Sequence, residues 1–318
     1  MTPDLTVIIL THNEALHIVR AINAVRLIAR DIIIIDSFSS DGTPELARAA
    51  GATVLQNKWI NYAAQFEWGL ANAPISTEWI MRLDADEVVE EDLSCEIIQK
   101  LPEIGRDVVG ITLDRRHIFM GRWIKHGGRY PLRLLRIWRF GHGEIESRWM
   151  DEHIVVHGGK TISFRGGFSD YNLKDLTFFT NKHNSYATRE AIDVLIQKYR
   201  LLPTDRSIVA DGKNSQAARR RFVKEDLYNR IPFWLAATGY FFFRYFLQLG
   251  FLDGRQGLIY HFLQGYWYRF LVGAKVHEFE LAMSPHHSRE QRLQILTILT
   301  GHDLQSYAAQ GVAGKVLS

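Results

Sequence analysis

Residues 79–87 read WIMRLDADE, and in this stretch an apolar run gives way directly to two aspartates, Asp84 and Asp86. A run of this length in which Arg82 is the one residue that is not apolar is typical of a β-strand that is buried on both faces. The two aspartates are two positions apart, so in an extended segment their side chains leave the backbone on the same side. The stretch therefore predicts a buried strand with a pair of carboxylates at its carboxyl end.

The residues before this stretch repeat a pattern of short apolar run, polar turn and helical segment. The apolar runs that predict earlier strands are residues 5–10 (LTVIIL), 32–35 (IIII) and 52–56. The helical segments between them are residues 14–29, a segment with Thr43 as its expected N-cap, and residues 62–71. Short buried strands that alternate with helices predict an α/β fold with a mostly parallel, doubly wound sheet.

Polar residues stand at the carboxyl ends of three of these strands. They are Thr11, His12, Asn13 and Glu14 after the first strand, Asp36 and Ser37 after the second, and Asp84 and Asp86 after the fourth. Each group alone could simply cap the next helix, but together they indicate a ligand site in the crevice beyond the strands. The sequence has neither G-x-G-x-x-G after the first strand nor G-x-x-x-x-G-K-[ST], which argues against a dinucleotide oxidoreductase and a P-loop enzyme.

The spacing of Asp84 and Asp86 suits a hard divalent cation. Mg²⁺ binds few protein carboxylates and completes its coordination with phosphate oxygens. A D-x-D sequence by itself is a weak signal, but here it ends a buried-type strand and follows Arg82. We therefore predict a Mg²⁺ or Mn²⁺ site that neutralises a departing nucleotide diphosphate.

Three stretches, TVIILTHNE, IIIIDSFSSDGT and WIMRLDADE, resemble the nucleotide-binding half of the family-two inverting glycosyltransferases of the GT-A fold, in the family's order. The resemblance implies that Asp36 recognises a uracil ring, that Asp84 lies near the ribose and that Asp86 binds the metal. His12 stands where the family usually has Tyr. The nucleotide-binding candidates are Thr11, His12, Asn13, Glu14, Asp36, Gln65, Arg82 and Asp84.

An inverting transfer also needs a carboxylate that takes the proton from the attacking hydroxyl. The candidates are Asp151 and Glu152, in a stretch that looks like part of the bacterial lipopolysaccharide-core and exopolysaccharide branch of the family. That resemblance implies Glu152 as the base, with Asp151 as the alternative. Asp170 falls where relatives often carry His, so its role in metal or phosphate binding stays open.

Residues 115–139 contain eight Arg or Lys residues and no acid. Guanidinium groups bind phosphates well, so we predict that Arg129, Arg133 or Arg136 contacts the donor diphosphate or a phosphate on the acceptor. A solvated basic face is the alternative. Single-stranded nucleic acid would use similar residues, but it would not explain the carboxylates.

Residues 233–270 hold 15 of the 38 aromatic residues of the chain. Arg244, Arg255 and Arg269 interrupt the apolar runs, which are shorter than the roughly 20 residues that a spanning helix needs. Two interfacial helices joined by a turn fit better, with aromatic rings and arginines in the headgroup region of an anionic membrane. A buried core or oligomer interface and a spanning segment are the alternatives.

Composition places the chain in a reducing compartment. Its one cysteine, Cys95, cannot form an internal disulfide, and no basic leader precedes residues 5–10, so we expect no export. A net charge of +3 is too small to indicate nucleic acid as a partner. We predict a peripheral, monotopic protein on the cytoplasmic face of the inner (plasma) membrane.

The predicted function is metal-dependent transfer of a hexose from a UDP-sugar to a lipid-linked, lipopolysaccharide or exopolysaccharide acceptor. The predicted regions are a GT-A domain at 1–225, with a nucleotide-binding half (1–105) and an acceptor-side half (106–225), and a helical membrane-associated region at 226–318. A sugar-phosphate nucleotidyltransferase is the alternative enzyme, but its usual Gly-rich N-terminal loop is missing. A catalytically silent nucleotide-sugar-binding membrane protein is the alternative that is not an enzyme.

Overall fold

The computed structural model describes residues 2–145, 154–202 and 231–304, and the chain divides into two compact units, Met1–Leu173 and Lys174–Ser318. The boundary predicted near residue 225 lies outside the described residues. The observed division comes earlier in the chain because the helix Leu176–Tyr199 packs against the helix Tyr268–Met283 of the second unit.

The first unit is an α/β structure, as predicted. Its strands are β1 (Leu5–Thr11), β2 (Asp31–Asp36), β3 (Thr53–Gln56), β4 (Trp79–Asp84), β5 (Glu87–Val89), β6 (Val108–Phe119), β7 (Arg122–Ile124), β8 (Arg133–Arg139), β9 (Gly143–Ile145), β10 (Ile154–Val156) and β11 (Lys160–Asp170). Within the described residues, nine of them form one sheet in the order β3-β2-β1-β4-β8-β6-β11-β5, with β7 beside β6. The strands β9 and β10 pair separately.

The sheet is mixed, so the prediction of a mostly parallel sheet is wrong for its second half. The strands β1 to β4 pair in parallel, as do β6 and β11. By contrast, β8 runs antiparallel to both β4 and β6, and β5 runs antiparallel to β11. The links from β6 through β7 to β8 are too short for helical crossovers, and short links join antiparallel strands.

Helices cover both faces of the sheet and bury alternate residues of each strand. They are α1 (Ile18–Val25), α2 (Thr43–Ala49), α3 (Tyr62–Asn72) and α4 (Glu91–Lys100). Leu5, Val7 and Ile9 of β1 pack on the face covered by α1 and α4, whereas Ile8 faces Phe66 of α3. Because both faces are buried, apolar residues predominate along β1, β2 and β4.

Two helix starts differ from the predictions. Helix α1 begins at Ile18 instead of Glu14, because Asn13 has a left-handed φ of 56° and the Glu14 N–H donates to Thr43 Oγ1 at 2.9 Å. Helix α2 has Gly42 at the N-cap, with a φ of 85°, so Thr43 is the first helical residue and not the cap. Both differences bring the loops after β1 and β2 together.

The second unit is helical in its described residues. Its helices are α5 (Leu176–Tyr199), α6 (Phe233–Phe242), α7 (Gly254–Tyr260), α8 (Tyr268–Met283) and α9 (Arg289–Thr300), with π-helical turns at Phe243–Leu247 and His261–Trp267 and a 3₁₀ turn at Gly250–Asp253. Ala187 of α5 packs against Tyr268 and Val272 of α8. In the described parts of the chain, no helix has the length and apolar character that crossing a bilayer requires.

Candidate functional site

The loop after β1 is bonded to the loop after β2, and both carry predicted nucleotide-binding residues. Asn13 donates its N–H to Ser39 Oγ at 2.8 Å, and its Oδ1 accepts from the Ser40 N–H at 2.9 Å. His12 Nδ1 lies 3.2 Å from the Ser37 carbonyl oxygen. The two strand ends therefore form one continuous polar surface at the crevice.

Asp36 is fully buried at the centre of this surface. Its Oδ1 accepts from Thr11 Oγ1 at 2.8 Å and from Ser39 Oγ at 2.5 Å, and its Oδ2 accepts from the Ser39 N–H at 2.9 Å and from Gln56 Nε2 at 3.2 Å. A carboxylate has about four acceptor positions, and these four bonds use them. Asp36 thus holds the two loops in place, and the predicted contact with uracil would have to replace one of these bonds.

Gln65 is also buried, with 1% of its surface exposed. Its Nε2 donates to Ser37 Oγ at 3.0 Å and to the Asn57 carbonyl at 3.1 Å, and its Oε1 accepts from Asn57 Nδ2 at 2.9 Å. Gln65, a predicted nucleotide-binding residue, therefore lies behind the crevice and positions Ser37.

The carboxyl end of β4 brings opposite charges together around Asp84. Its Oδ1 accepts from the Tyr62 hydroxyl at 2.7 Å, and its Oδ2 lies 3.5 Å from Arg136 Nη2. The Arg82 guanidinium lies 4.1 Å from the centre of the Tyr62 ring, and its Nε is 3.7 Å from Asp84 Oδ1. Tyr62 and the two arginines together fix the orientation of this carboxylate.

These contacts keep Asp84 ionised. Burial opposes the charge, but Arg82, Arg136 and the Tyr62 hydrogen bond lower the pKa of Asp84 from 3.8 to about 2. The carboxylate therefore carries a full negative charge at neutral pH.

Arg136 is buried and also pairs with Glu87, its Nη2 lying 2.6 Å from Glu87 Oε1. Glu87 is 2% exposed, and its Oε2 accepts from the Asp84 N–H at 2.9 Å. Burial raises the pKa of Glu87 above its usual value, against the attraction of Arg136, and Asp84 adds to the rise. Arg136 was predicted to contact a phosphate, and the structure places it beneath the D-x-D turn as the counterion of two carboxylates.

Asp86 is held through both its backbone and its side chain. Its carbonyl oxygen accepts from Arg20 Nη2 at 3.3 Å and from the Tyr171 N–H at 3.0 Å, while its Oδ2 accepts from Asn172 Nδ2 at 2.9 Å. Arg20 also donates to the Tyr171 carbonyl at 2.5 Å and lies 4.9 Å from the centre of that ring. The segment after β11 therefore fixes the D-x-D turn.

His17 also belongs to the site, although the sequence analysis did not single it out. It is fully buried, its Nδ1 lies 2.6 Å from Glu14 Oε2, and its Nε2 accepts from the Leu173 N–H at 2.9 Å. The ring joins the loop after β1 to the segment after β11. In the sequence, the position of Glu14 three residues before His17 was the one indication of this contact. The other partner, Leu173, is 156 residues away along the chain.

Asp170 lies at the end of β11, opposite Glu87 on β5 and His117 on β6. Its Oδ2 is 3.1 Å from His117 Nδ1 and 3.6 Å from Arg115 Nη1. This adds a carboxylate with two basic neighbours at the same end of the sheet as the D-x-D pair.

Acidic residues from other segments pair with five of the eight basic side chains in residues 115–139. The pairs are Arg115 with Asp170, Arg116 with Asp92, Arg133 with Asp114, Arg136 with Glu87 and Asp84, and Arg139 with Glu78. Arg133 remains 64% exposed, and Arg129 is half-buried. Much of the basic character seen in the sequence is therefore neutralised within the fold.

Asp151 and Glu152, the predicted base candidates, lie outside the described residues. The strands on either side of them are described: Ile145 of β9 pairs with Ile154 of β10.

The donor set at the end of β4 fits a hard divalent cation. Asp84 and Asp86 are half-buried carboxylates separated by the buried Ala85, so they occupy the same side of the chain. Among the described residues, no group of three or more His, Cys, Asp or Glu side chains could hold a metal ion. Two carboxylates plus substrate phosphates is the usual arrangement for Mg²⁺, so the site fits a metal that arrives with a nucleotide diphosphate.

The fold and the site together define a class of protein. It is an α/β protein with carboxylates at the carboxyl ends of its parallel strands, where nucleotides bind in such folds, and its sequence has no glycine-rich phosphate loop. The model of the family described as Glycosyl transferase family 2 matches residues 6–171, more than half of the chain, and the chain belongs to that family. This confirms the resemblance seen in the sequence.

Two kinds of relatives are similar over different lengths. The chain is 28% identical over 193 residues to the lipopolysaccharide core biosynthesis glycosyltransferase LpsC of Rhizobium meliloti, covering 59% of this chain and 70% of that protein. It is 38% identical over 97 residues to an uncharacterized glycosyltransferase of Rickettsia bellii, covering 30% of this chain and 32% of that protein. The chain thus spans about a third of the length of the Rickettsia relatives that it matches.

Solved structures are similar over about a third of the chain. Glucosyl-3-phosphoglycerate synthase from Mycobacterium tuberculosis, in complex with Mn²⁺, UDP and glucosyl-3-phosphoglycerate, is 18% identical with a TM-score of 0.30, covering 35% of this chain and 44% of that one. Mannosyl-3-phosphoglycerate synthase from Rubrobacter xylanophilus is 16% identical with a TM-score of 0.31, covering 36% and 40%.

Proposed function

We propose that this chain is a metal-dependent, inverting hexosyltransferase that uses a UDP-sugar and a saccharide acceptor carried on a lipid. The observation that carries the proposal is the end of β4, where Asp84 is kept ionised and Asp86 is fixed by Arg20 and Asn172. Family membership supplies the reaction class. The loops after β1 and β2 lie beside these carboxylates in the sheet order and would hold the nucleoside.

In this proposal Asp86 would hold Mg²⁺ or Mn²⁺ and Asp84 would accept a hydrogen bond from the ribose. A bound cation supplies charge neutralisation for the diphosphate leaving group. Asp84 is the weaker candidate for direct metal contact, because Tyr62 and Arg136 already engage its two oxygens. Arg129 and Arg133 remain candidates for phosphate contact.

The acceptor hydroxyl would attack the anomeric carbon from the side opposite the diphosphate, and a carboxylate would take its proton. Glu152 is expected to be this base. Replacing Glu152 with glutamine should leave donor binding unchanged but lower turnover by about 10²-fold or more, the usual scale for a general base. The measurement is the initial rate of UDP release together with UDP-sugar affinity.

Asp151→Asn is the matched control for Glu152→Gln, since the two residues are adjacent and both changes remove a charge at nearly constant size. If Asp151→Asn is the inactive variant and Glu152→Gln is active, the base is Asp151.

The acceptor proposal rests on two observations. One relative, similar over 193 residues, is a lipopolysaccharide core glycosyltransferase, and the second unit exposes many large apolar side chains between residues 231 and 262. An exposed apolar surface of this kind marks an interaction site, and a lipid-borne acceptor would be met at a membrane. We place the protein at the cytoplasmic face of the inner membrane.

Donor turnover with and without metal is the direct test. The full chain is expected to release UDP from one of UDP-glucose, UDP-galactose or their N-acetyl relatives when Mn²⁺ or Mg²⁺ is present, and to lose that activity in chelator. Release of pyrophosphate from a nucleoside triphosphate and sugar phosphate would indicate a nucleotidyltransferase. Tight UDP-sugar binding without turnover, with any acceptor, would indicate a silent binding protein.

A further inference from the structure

Residues 233–273 of the second unit fold into an antiparallel helical hairpin, which we call the aromatic hairpin. Ring contacts fix its register: Phe233 lies 5.1 Å from Phe270, and Phe241 lies 6.2 Å from Phe262, between ring centres. A Cβ at Gly273 would collide with Phe233, so this glycine lets the two arms approach closely. The tip of the hairpin is therefore the turn between the two arms, residues 248–258.

Charged and titratable side chains near the tip point into the hairpin. Arg244, Asp253 and His261 have exposed fractions of 4%, 2% and 0%. His261 Nε2 lies 3.9 Å from Asp253 Oδ2, and the Arg244 guanidinium lies 5.5 Å from the centre of the Tyr240 ring. A buried cation on an aromatic face is partly compensated inside the protein.

This placement corrects the expectation that Arg244, Arg255 and Arg269 all reach lipid phosphates. Arg244 is buried, and Arg269 Nη1 lies 2.7 Å from Glu190 Oε1 on α5. Of the three, Arg255 alone is exposed. The arginines that appear in the sequence to interrupt the apolar surface are therefore mostly absent from it.

The outer surface of the hairpin is apolar instead. Its large exposed side chains are Trp234, Leu235, Phe242, Phe243, Phe246, Leu247, Leu249, Phe251, Leu252, Leu258 and Phe262, each with 43% to 76% of its surface exposed. Between residues 231 and 262, Arg255 is the one Asp, Glu, Lys or Arg residue that is not buried. The surface thus offers apolar area with a single positive charge, which complements a lipid layer with anionic headgroups.

We infer that the tip of the aromatic hairpin enters the hydrocarbon layer of an anionic bilayer, with Arg255 extending back to the lipid phosphates. The inference rests on the membrane attachment in the proposed function and assigns it to particular residues. Helical residues 233–247 span about 22 Å at about 1.5 Å per residue, less than the roughly 30 Å hydrocarbon core. The hairpin therefore enters one leaflet and returns.

Entry of the tip is favourable because Arg244 and Asp253 stay inside the protein fold and Arg255, the one exposed charge of the tip, extends back to the phosphates. Placing an arginine side chain in hydrocarbon costs a large free energy. A hairpin with Arg244 on its surface would bear this cost on entering the bilayer. With one arginine at the phosphates, the preference for anionic lipid is expected to be only about fivefold. Most of the binding comes from apolar burial.

A matched pair of substitutions tests the inference on the full chain. Leu247 at the tip end of the first arm and Leu281 on α8, beyond the hairpin, are 76% and 61% exposed, so a glutamate at either position is compatible with the fold. Flotation with vesicles of phosphatidylglycerol and phosphatidylcholine measures the partition coefficient between water and membrane. Leu247→Glu should lower this coefficient by at least about tenfold. Leu281→Glu should bind like the original chain.

The depth at which the tip of the aromatic hairpin lies in the bilayer gives a second test of the inference. In a Cys95→Ser background, an environment-sensitive fluorophore on a cysteine at position 252 should be quenched by spin labels on the acyl chain. The same fluorophore at position 281 should be quenched by aqueous iodide, with and without vesicles.

Failure of this inference and failure of the proposed attachment give different results. If the full chain floats and Leu247→Glu floats equally well, another segment holds the membrane and the hairpin inference is overturned. If the full chain does not float with these vesicles, the attachment itself is wrong, while metal-dependent UDP release still tests the enzyme separately.

Discussion

Replacing Asp86 with alanine is expected to abolish sugar transfer and metal-dependent UDP binding while the fold stays intact. A metal at a leaving diphosphate contributes several kcal/mol to the transition state, so loss of its ligand should lower turnover by about 10³-fold or more. The fold should survive because the backbone contacts of Asp86, from Arg20 and the Tyr171 N–H, do not depend on its side chain. Circular dichroism and calorimetric titration of UDP with and without Mn²⁺ are the measurements.

Asn172→Ala is the control for this substitution. It removes the 2.9 Å hydrogen bond to Asp86 Oδ2 but leaves the carboxylate in place, so UDP binding should still depend on Mn²⁺ with a smaller loss of turnover. Full activity of the original chain in chelator, or unchanged metal-dependent UDP binding by Asp86→Ala, would contradict the assignment of the metal to Asp86.

The strand ends of the first half of the sheet could be predicted from the sequence because each depends on local chemistry. An apolar run followed by Asp36, or by Asp84 and Asp86, contains both the strand and its polar end within a few residues. The α/β class and the positions of β1 to β4 followed from these runs. The second half contains short strands linked by short turns, and there the runs do not tell parallel from antiparallel pairing, so β8 was not placed.

Charge pairing could not be predicted, because partners come from distant segments. Residues 115–139 contain no acid and read as a basic face, yet Arg136 pairs with Glu87, 49 residues earlier. The same limit affected Arg244 and Arg269, whose buried or paired positions depend on how helices pack. Sequence spacing shows which charges exist, and tertiary packing decides which of them face solvent.

Replacing Arg136 with methionine is expected to destabilise the fold strongly. Arg136 is a buried counterion of the ionised Asp84 and also contacts Glu87, and removing one partner of a buried ion pair typically costs about 3–5 kcal/mol because the other charge loses its compensation. Urea unfolding followed by tryptophan fluorescence measures the change, since Trp79 and Trp138 are buried in the same sheet. Arg133→Met is the matched control on the same strand: Arg133 is 64% exposed, so water can replace it beside Asp114 and its loss should cost less than that of Arg136.

The pH dependence gives this prediction its second part. The pKa of Glu87 is raised in the folded protein from 4.5 to about 8, so its contribution to stability is complete below pH 4.5 and is lost as the pH rises towards 8. Without Arg136 the pKa of Glu87 rises further, so both proteins lose stability in parallel up to about pH 8, and the destabilisation by Arg136→Met should grow as the pH rises above that value. Adding Glu87→Gln removes the carboxyl group that ionises above about pH 8, while an amide oxygen can still accept from the Asp84 N–H, and it should restore part of the stability lost at high pH. A double variant that is as unstable as Arg136→Met alone, with no pH dependence in either, would show that Arg136 acts through packing against Phe168 and not through charge.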